Sequence, residues 1–351
     1  MSASQPLAEP TAPPTRQPLL KRINVSWFYI LLVFIALNVF FSLWHGRKYF
    51  DETNFRNISL NASQLMLLAI GATFVIITGG IDLSVSSVLV FSAVFGANTM
   101  VRLSGTHAEV RQYQHPTQNV GIPVGLAVAV LCGLAWGLFN GFAITKLKLP
   151  PFIVTLGSLG MALGLAQIYS GGSSVPYVPS AVQKEIGSRR LLGGHVPLLV
   201  LVAAVVVIWA AIALRMTRFG RYTFAIGSNS AAARRAGVNV DRHLIKVYAI
   251  SGLLAGLAGA MDIARYATAS SATHSADNLN AISAVVIGGT SLFGGLGSIV
   301  GTVIGAFIPA VLYNGLIIGG VDSFWQQVAV GAILVVAVYI DQRRRKSEER
   351  M

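Results

Sequence analysis

The sequence predicts an all-α polytopic membrane protein of about ten transmembrane helices, and three observations carry that expectation. Of its 351 residues 54% are hydrophobic and only 11% charged, less than half the roughly 25% charge of a soluble domain. Apolar runs of the length a helix needs to cross a bilayer core, about 20 residues, recur from residue 25 to residue 340. Glycines stand four apart within several of these runs, the spacing that lets helices approach closely in lipid, where packing replaces the hydrophobic drive.

The elements follow in order. Residues 1–24 hold Pro6, Pro10, Pro13, Pro14 and Pro18 and few large apolar groups, too little to offset chain entropy, so they read as a disordered tail. The run 25–44 is longer than a signal-peptide core and lacks a small-residue cleavage pattern, which makes it an uncleaved span. Further spans are expected at 60–79, 84–103, 121–145, 152–170, 194–214, 244–264, 279–294, 297–318 and 324–340. The eighth is short and shares the turn "GGTSLFGGLGS" with the ninth, so the two could form a broken or re-entrant pair. The glycine stripes are Gly133, Gly137 and Gly141; Gly160 and Gly164; Gly252 and Gly256; Gly297, Gly301 and Gly305; and Gly315 and Gly319.

Charge sets the expected orientation. An even number of spans leaves both ends on one side, and that side, with the loops at 146–150 and 215–246, collects seventeen of the 26 Lys and Arg. The excess marks it as cytoplasmic. The expected organisation is a cytoplasmic tail 1–24, a membrane domain 25–340 with a cytoplasmic loop at 215–243, and a basic cytoplasmic tail 341–351. The net charge of +13 is thus spread over loops between spans, where it meets lipid headgroups, and forms no stripe for nucleic acid.

Few residues are placed for chemistry. Asp82, in "TGGIDLSVSS", is the carboxylate nearest the middle of the hydrophobic map. After Gly79 and Gly80, Asp82 and Ser84 can accept from the free N–H groups opening the next span. Alternatively, Asp82 forms the polar wall of a solute path; both readings stay open. Gln64, Thr73, Thr78, Asn140, Thr155, Ser158 and Gln167 can line such a path or bond their own helices. The translocation candidates are therefore Asp82, Ser84, Thr78, Asn140, Thr155 and Ser158. Asp262 and Arg265, three apart, are spaced to pair on one helix face. Trp44, Tyr49 and Trp325 sit at outer span borders as interface anchors.

Enzymatic motifs are missing. One cysteine, Cys132, permits no intrachain disulfide. No G-x-x-x-x-G-K-[ST] phosphate loop occurs, "GGLGSIVG" lacks the third glycine of a dinucleotide fingerprint, and the six histidines include no H-E-x-x-H. No catalytic or metal-ligating residue and no cofactor of its own is expected for this chain.

One polar stretch interrupts the apolar pattern, "GSNSAAARRAGVNVDRH" at 227–243. Asn229 or Ser230 can cap a helix over 231–236, and Gly237 suits a left-handed stop. Two turns are too few to stand alone in water. Arg234 and Arg235 suit the helix C-terminus and also offer cations to a partner. The stretch is either a connector held by lipid headgroups or a docking element.

Four stretches carry a resemblance: "GGIDLSVSSVLVFSAVFGA", "LKLPPFIVTLGSLGMALGLA", "GRYTFAIGSNSAAARRAGVNVDRHLIKVYAISGLLAGLAG" and "ISAVVIGGTSLFGGLGSIVGTVIGAF". In this order they look like the signatures of the ribose-type permease subunits of bacterial ABC importers, over roughly 25–340. The resemblance implies a ten-helix permease of the vitamin B12-importer-like (type II) fold, multi-pass in the bacterial inner membrane. It implies work as a dimer, with a second copy or a similar permease, and alternating access for a ribose-like monosaccharide. It also implies a cytoplasmic ATP-binding subunit that carries ATP and Mg, and a periplasmic or lipid-anchored sugar-binding protein. The family's coupling helix, which contacts the ATPase, matches Gly227, Asn229, Ala231, Ala232, Arg234 and Gly237, next to Arg235. Ser230 departs from the acid usual in relatives, which preserves a cap and removes a charge. The outer loop 104–120 is enlarged and offers a docking surface for the binding protein. Other solutes of the class, a polyol, inositol or a furanosyl signal molecule, stay open, as does an ion-coupled secondary transporter working through Asp82.

Overall fold

Prolines, glycines and short polar caps cut the apolar chain into helices. The structure, a computed structural model, describes residues 25–322 and scattered positions between 324 and 339. The helices are α1 Val25–His45, α2 Glu52–Ile77, α3 Val85–Leu103, α4 His107–Arg111, α5 Gln118–Lys146, α6 Pro151–Ser170, α7 Leu198–Met216, α8 Arg218–Ser228, α9 Ser230–Arg235, α10 Val240–Tyr266, α11 Asp277–Ile287 and α12 Ile299–Ile318. A small antiparallel hairpin pairs β1, Arg190–Leu191, with β2, Val196–Pro197. Among the described residues α1, α2, α3, α5, α6, α7, α10 and α12 are long and apolar enough to cross a membrane.

These eight match the expected spans at 25–44, 60–79, 84–103, 121–145, 152–170, 194–214, 244–264 and 297–318. The eighth expected span, 279–294, is corrected. Its helix, α11, has 11 residues, about 16 Å of rise, half a bilayer core. The tenth, at 324–340, falls mostly outside the described residues, as do the tails 1–24 and 341–351. α2 begins eight residues earlier than its hydropathy suggests, because Asp51 accepts from the Thr53 N–H at 2.7 Å and caps it.

The glycine stripes separate once the helices are placed. α5 and α10 run antiparallel: Gly141 lies against Ile245, Gly137 against Tyr248 and Gly252, and Gly133 against Gly252 and Gly256. A Cβ on Gly133 would come within 2.5 Å of Gly256 Cα and overlap the Gly252 carbonyl oxygen. In the same way Gly301 and Gly305 seat α12 on Gly288 and Ala284 of the α11 segment, and Gly315 receives the Phe41 ring of α1. Gly160 and Gly164 of α6 have nothing within 4 Å of an added Cβ. Identical spacing thus serves contact in one helix and an open face in another.

α2, α3 and α10 form the buried centre, while α1, α5, α6 and α7 turn apolar side chains outward. Trp44 and Trp325 are exposed. Tyr49 corrects its expectation: it is 1% exposed, donates to Asn38 Oδ1 at 2.7 Å and packs beside Phe41. Burial of its ring outweighs interfacial placement because a polar partner lies within the fold.

Candidate functional site

α2 ends at Ile77, and the chain turns through Gly79, whose φ of +80 only glycine adopts cheaply, before α3 starts at Val85. Asp82 in this turn is 4% exposed. One of its oxygens accepts from the Ser84 N–H at 3.0 Å and the Ser84 hydroxyl at 2.6 Å; the other accepts from Ser251 of α10 at 2.8 Å. Asn140 of α5 donates to Ser84 Oγ at 2.9 Å, and Ser158 of α6 donates to Asn140 Oδ1. Thr155 of α6 donates to the Ile81 carbonyl at 3.2 Å.

Five of the six translocation candidates, Asp82, Ser84, Asn140, Thr155 and Ser158, therefore meet in one network, each nearly or fully buried. Thr78 stays apart and bonds the Val75 carbonyl of its own helix. The network ties the turn to α3, α5, α6 and α10, and it satisfies a buried carboxylate that would otherwise be costly. Gly80 is needed beside it, since a Cβ there would lie 2.5 Å from the Tyr248 hydroxyl.

The expected coupling segment holds two helices in place of one. α8 was not expected: Arg218 and Arg221 alternate with Phe219, Tyr222 and Phe224, and its N-cap Thr217 accepts from the Gly220 N–H at 3.3 Å. The following α9 has the predicted ends. Asn229 accepts from the Ala232 N–H at 2.8 Å. Gly237 has φ +85 and donates to the Arg234 carbonyl, while Val238 donates to the Ala233 carbonyl, both at 3.1 Å. That bond pair is a Schellman closure.

Only Ala233 of α9 is buried, against Ile226 and Val240; Ser230, Ala231, Ala232, Arg234 and Arg235 are exposed. Arg234 is engaged with Asp241 at 2.7 Å. Arg235 has no ion pair among the described residues. Gly227 sits where the segment meets the membrane helices. A Cβ on it would overlap the Ile77 carbonyl oxygen and lie 2.6 Å from Gly295 N.

A second polar cluster went unassigned in the sequence. Asp262 does not pair with Arg265, a correction, because Arg265 lies over the Tyr266 ring at 5.0 Å. Asp262 accepts from Gln64 of α2 at 3.2 Å and binds His274 Nε2 at 3.0 Å; His274 Nδ1 binds Asp277 at 2.7 Å. Carboxylates only accept, so both ring nitrogens donate and His274 is the cation between them. The run "SSATHSADNLN" at 270–280, polar between two apolar segments, was the available signal. Replacing His274 by alanine leaves the buried Asp262 carboxylate and the partly exposed Asp277 carboxylate without the cation between them. The expected loss is about 2–3 kcal/mol, below the usual range for a fully buried pair because Asp277 is partly exposed. A melt of the purified chain in detergent measures it, and an unchanged midpoint would contradict the clasp.

The loop 104–120 carries a short capped helix and reaches the segment after α6. Thr106 and Glu109 form a capping box on α4, and His115 Nε2 reaches the Tyr177 carbonyl at 2.9 Å. Among the described residues no group of three His, Cys, Asp or Glu is arranged to hold a metal.

Residues 54–338 match the family described as Branched-chain amino acid transport system / permease component. The chain is 37% identical over 298 residues to the ribose import permease protein of Bacillus subtilis, covering 85% of this chain and 87% of that one. It is 35% identical over 323 residues to the fructose import permease protein of Rhizobium meliloti, covering 90% and 85%. It is 31% identical over 385 aligned residues to the xylose transport system permease protein of Haemophilus influenzae, covering 93% and 99%. No solved structure matches it.

Proposed function

We propose, from the premise that the chain belongs to the branched-chain amino acid transport system / permease component family, that it carries a monosaccharide inward by alternating access, driven by a partner ATPase. The names of its relatives, importers of ribose, fructose and xylose, support the sugar class. ATP and Mg belong to the partner, since this chain lacks a phosphate loop. A sugar-binding protein delivers the solute to the outer face, and a second permease copy completes the pathway. The excess of Lys and Arg in the loops at 146–150 and 215–246 supports a cytoplasmic place for α9 and both termini.

The observation that carries this reading is α9 itself. It is rigidly capped, exposed on all but one residue, and joined through Gly227 to Ile77 at the end of α2. Ile77 opens the turn whose Asp82 network grips four helices. Displacement of α9 by a closing ATPase is therefore delivered to the turn, and through it to α3, α5, α6 and α10. Such contacts between packed elements transmit force because cores are close-packed and deform little.

Proteoliposomes holding the chain with the ATPase and binding protein that co-purify with it test the reading. Uptake of radiolabelled D-ribose, D-fructose or D-xylose is expected only with ATP inside and the binding protein outside. Uptake by the chain alone that an ionophore abolishes would favour an ion-coupled carrier and overturn the proposal.

A further inference from the structure

We infer that the open cavity between α2, α10, α11, α12 and Gly331 is a station for a neutral, multiply hydroxylated solute, an inference that rests on the sugar-importer reading and places its cargo. The cavity holds about 540 Å³, within the roughly 300–1,000 Å³ of small-molecule sites. Asn61, Gln64, His274, Asp277, Asn280 and Tyr313 line it. No residue of the Asp82 network lines it.

Backbone geometry singles this place out. α11 starts where Asn278 donates to the Leu83 carbonyl at 3.3 Å, beside the turn whose Asp82 binds Ser251, near the midpoint of α10. The half-length helix thus begins at mid-depth, and residues 267–276 reach it without helical structure, with Ala267 at φ +48 and His274 at φ +64. Irregular backbone at membrane depth persists only where protein or a water-filled cavity surrounds it. Broken helices meeting at mid-depth are how transporters build solute sites. Here the non-helical segment 267–276 leads into a half-length helix whose Asn278 touches the turn after α2.

The lining has unspent hydrogen-bonding capacity. Gln64 is 8% exposed and uses its amide N–H on Asp262, while its carbonyl oxygen accepts nothing among the described residues. The Asn61 side chain makes no hydrogen bond there, and the Asn280 carbonyl oxygen is likewise open after its N–H reaches Asp277 at 3.2 Å. Amides present donors and acceptors side by side, the complement of a sugar hydroxyl, which is both. Charge is balanced, Asp262 and Asp277 against His274 and Arg265, so the field rewards neither an anion nor a cation. Tyr266, Leu279 and Tyr313 form an exposed rim with the apolar surface that a sugar's C–H faces pack on.

Because Cys132 is the sole cysteine of this chain, Cys132→Ala frees the permease of thiols, and Asn280→Cys can be probed within the complete complex in proteoliposomes against the Cys132→Ala complex as the control for labelling of the partners. The reagent is a membrane-impermeant methanethiosulfonate, with D-ribose, D-fructose and D-xylose as protectants and D-ribose 5-phosphate as the charged control. Modification is expected, slowed by at least one sugar and not by the phosphate. After modification uptake falls about ten-fold, the scale of a lost hydrogen-bonded contact, while ATP hydrolysis holds. Tyr313→Cys, at the rim, carries the same test should Asn280→Cys fail to insert. A cysteine that is unreactive at both positions, or reactive but indifferent to all three sugars, overturns the station. Wild-type vesicles that take up no sugar count against the importer reading, whereas wild-type uptake beside an indifferent Asn280→Cys chain counts against the cavity alone.

Discussion

Replacing Gly227 by valine is expected to abolish sugar uptake while leaving the chain inserted in the membrane. The position has no room for a side chain: even one Cβ would overlap the Ile77 carbonyl oxygen and crowd Gly295 N. Relief requires the α8–α9 corner to lift away from α2 and from the turn between α11 and α12. Helix ends elsewhere in the bundle do not depend on that contact, so folding survives at a cost of about 1–3 kcal/mol, typical of overpacking. ATP hydrolysis by the complex is expected to continue without transport, since α9 stays capped by Asn229 and Gly237 and still presents Arg235. Arg235→Glu should instead weaken ATPase binding and leave the corner seated. Uptake and hydrolysis measured side by side separate the two, and normal uptake in Gly227→Val would refute the transmission route through Ile77.

Gly252→Leu is expected to remove most of the folded protein. Gly252 faces Gly137 Cα and N at 2.6 Å from an ideal Cβ, and it also meets the Gly133 carbonyl. Those are backbone atoms of α5 and cannot swing aside. α5 and α10 must separate, which uncovers Gly256 and Ser251 and with them one arm of the Asp82 network. The cost is about 3 kcal/mol or more, beyond simple overpacking because packed contacts and a buried hydrogen bond are lost together. Gly160→Leu, in a stripe of the same spacing on α6 with open space around it, should leave expression and melting unchanged. Yield of monodisperse protein in detergent reads both, and equal tolerance at the two positions would contradict the α5–α10 crossing.

Eight spans were legible because hydropathy over twenty residues is a summed local property that lipid enforces. The ends of α9 were legible for a similar reason: Asn229 bonds an N–H three residues on, and Gly237 needs only its own φ. α8 was missed because its aromatic and basic residues alternate without an apolar run, and its helical pattern gains value only when Phe219 packs near Phe74 and His243. The half-length of α11 was open in sequence, since an apolar run does not say at what depth the chain re-enters.

What the sequence determined by itself is therefore the class: an all-helical chain that spans the membrane repeatedly, its loops polar and basic, its family signatures in order. The tertiary structure alone decided which polar residues meet. Asp82 and Ser251 lie 169 positions apart, Gln64 and Asp262 lie 198 apart, and nothing local in either pair marks the other. The same holds for glycine, where Gly133 and Gly160 read alike until a neighbouring backbone arrives at one and not the other. Span formation follows from transfer of each segment into lipid, a sum over its own residues. Site formation follows from pairwise contacts between segments, which exist only once those segments have packed.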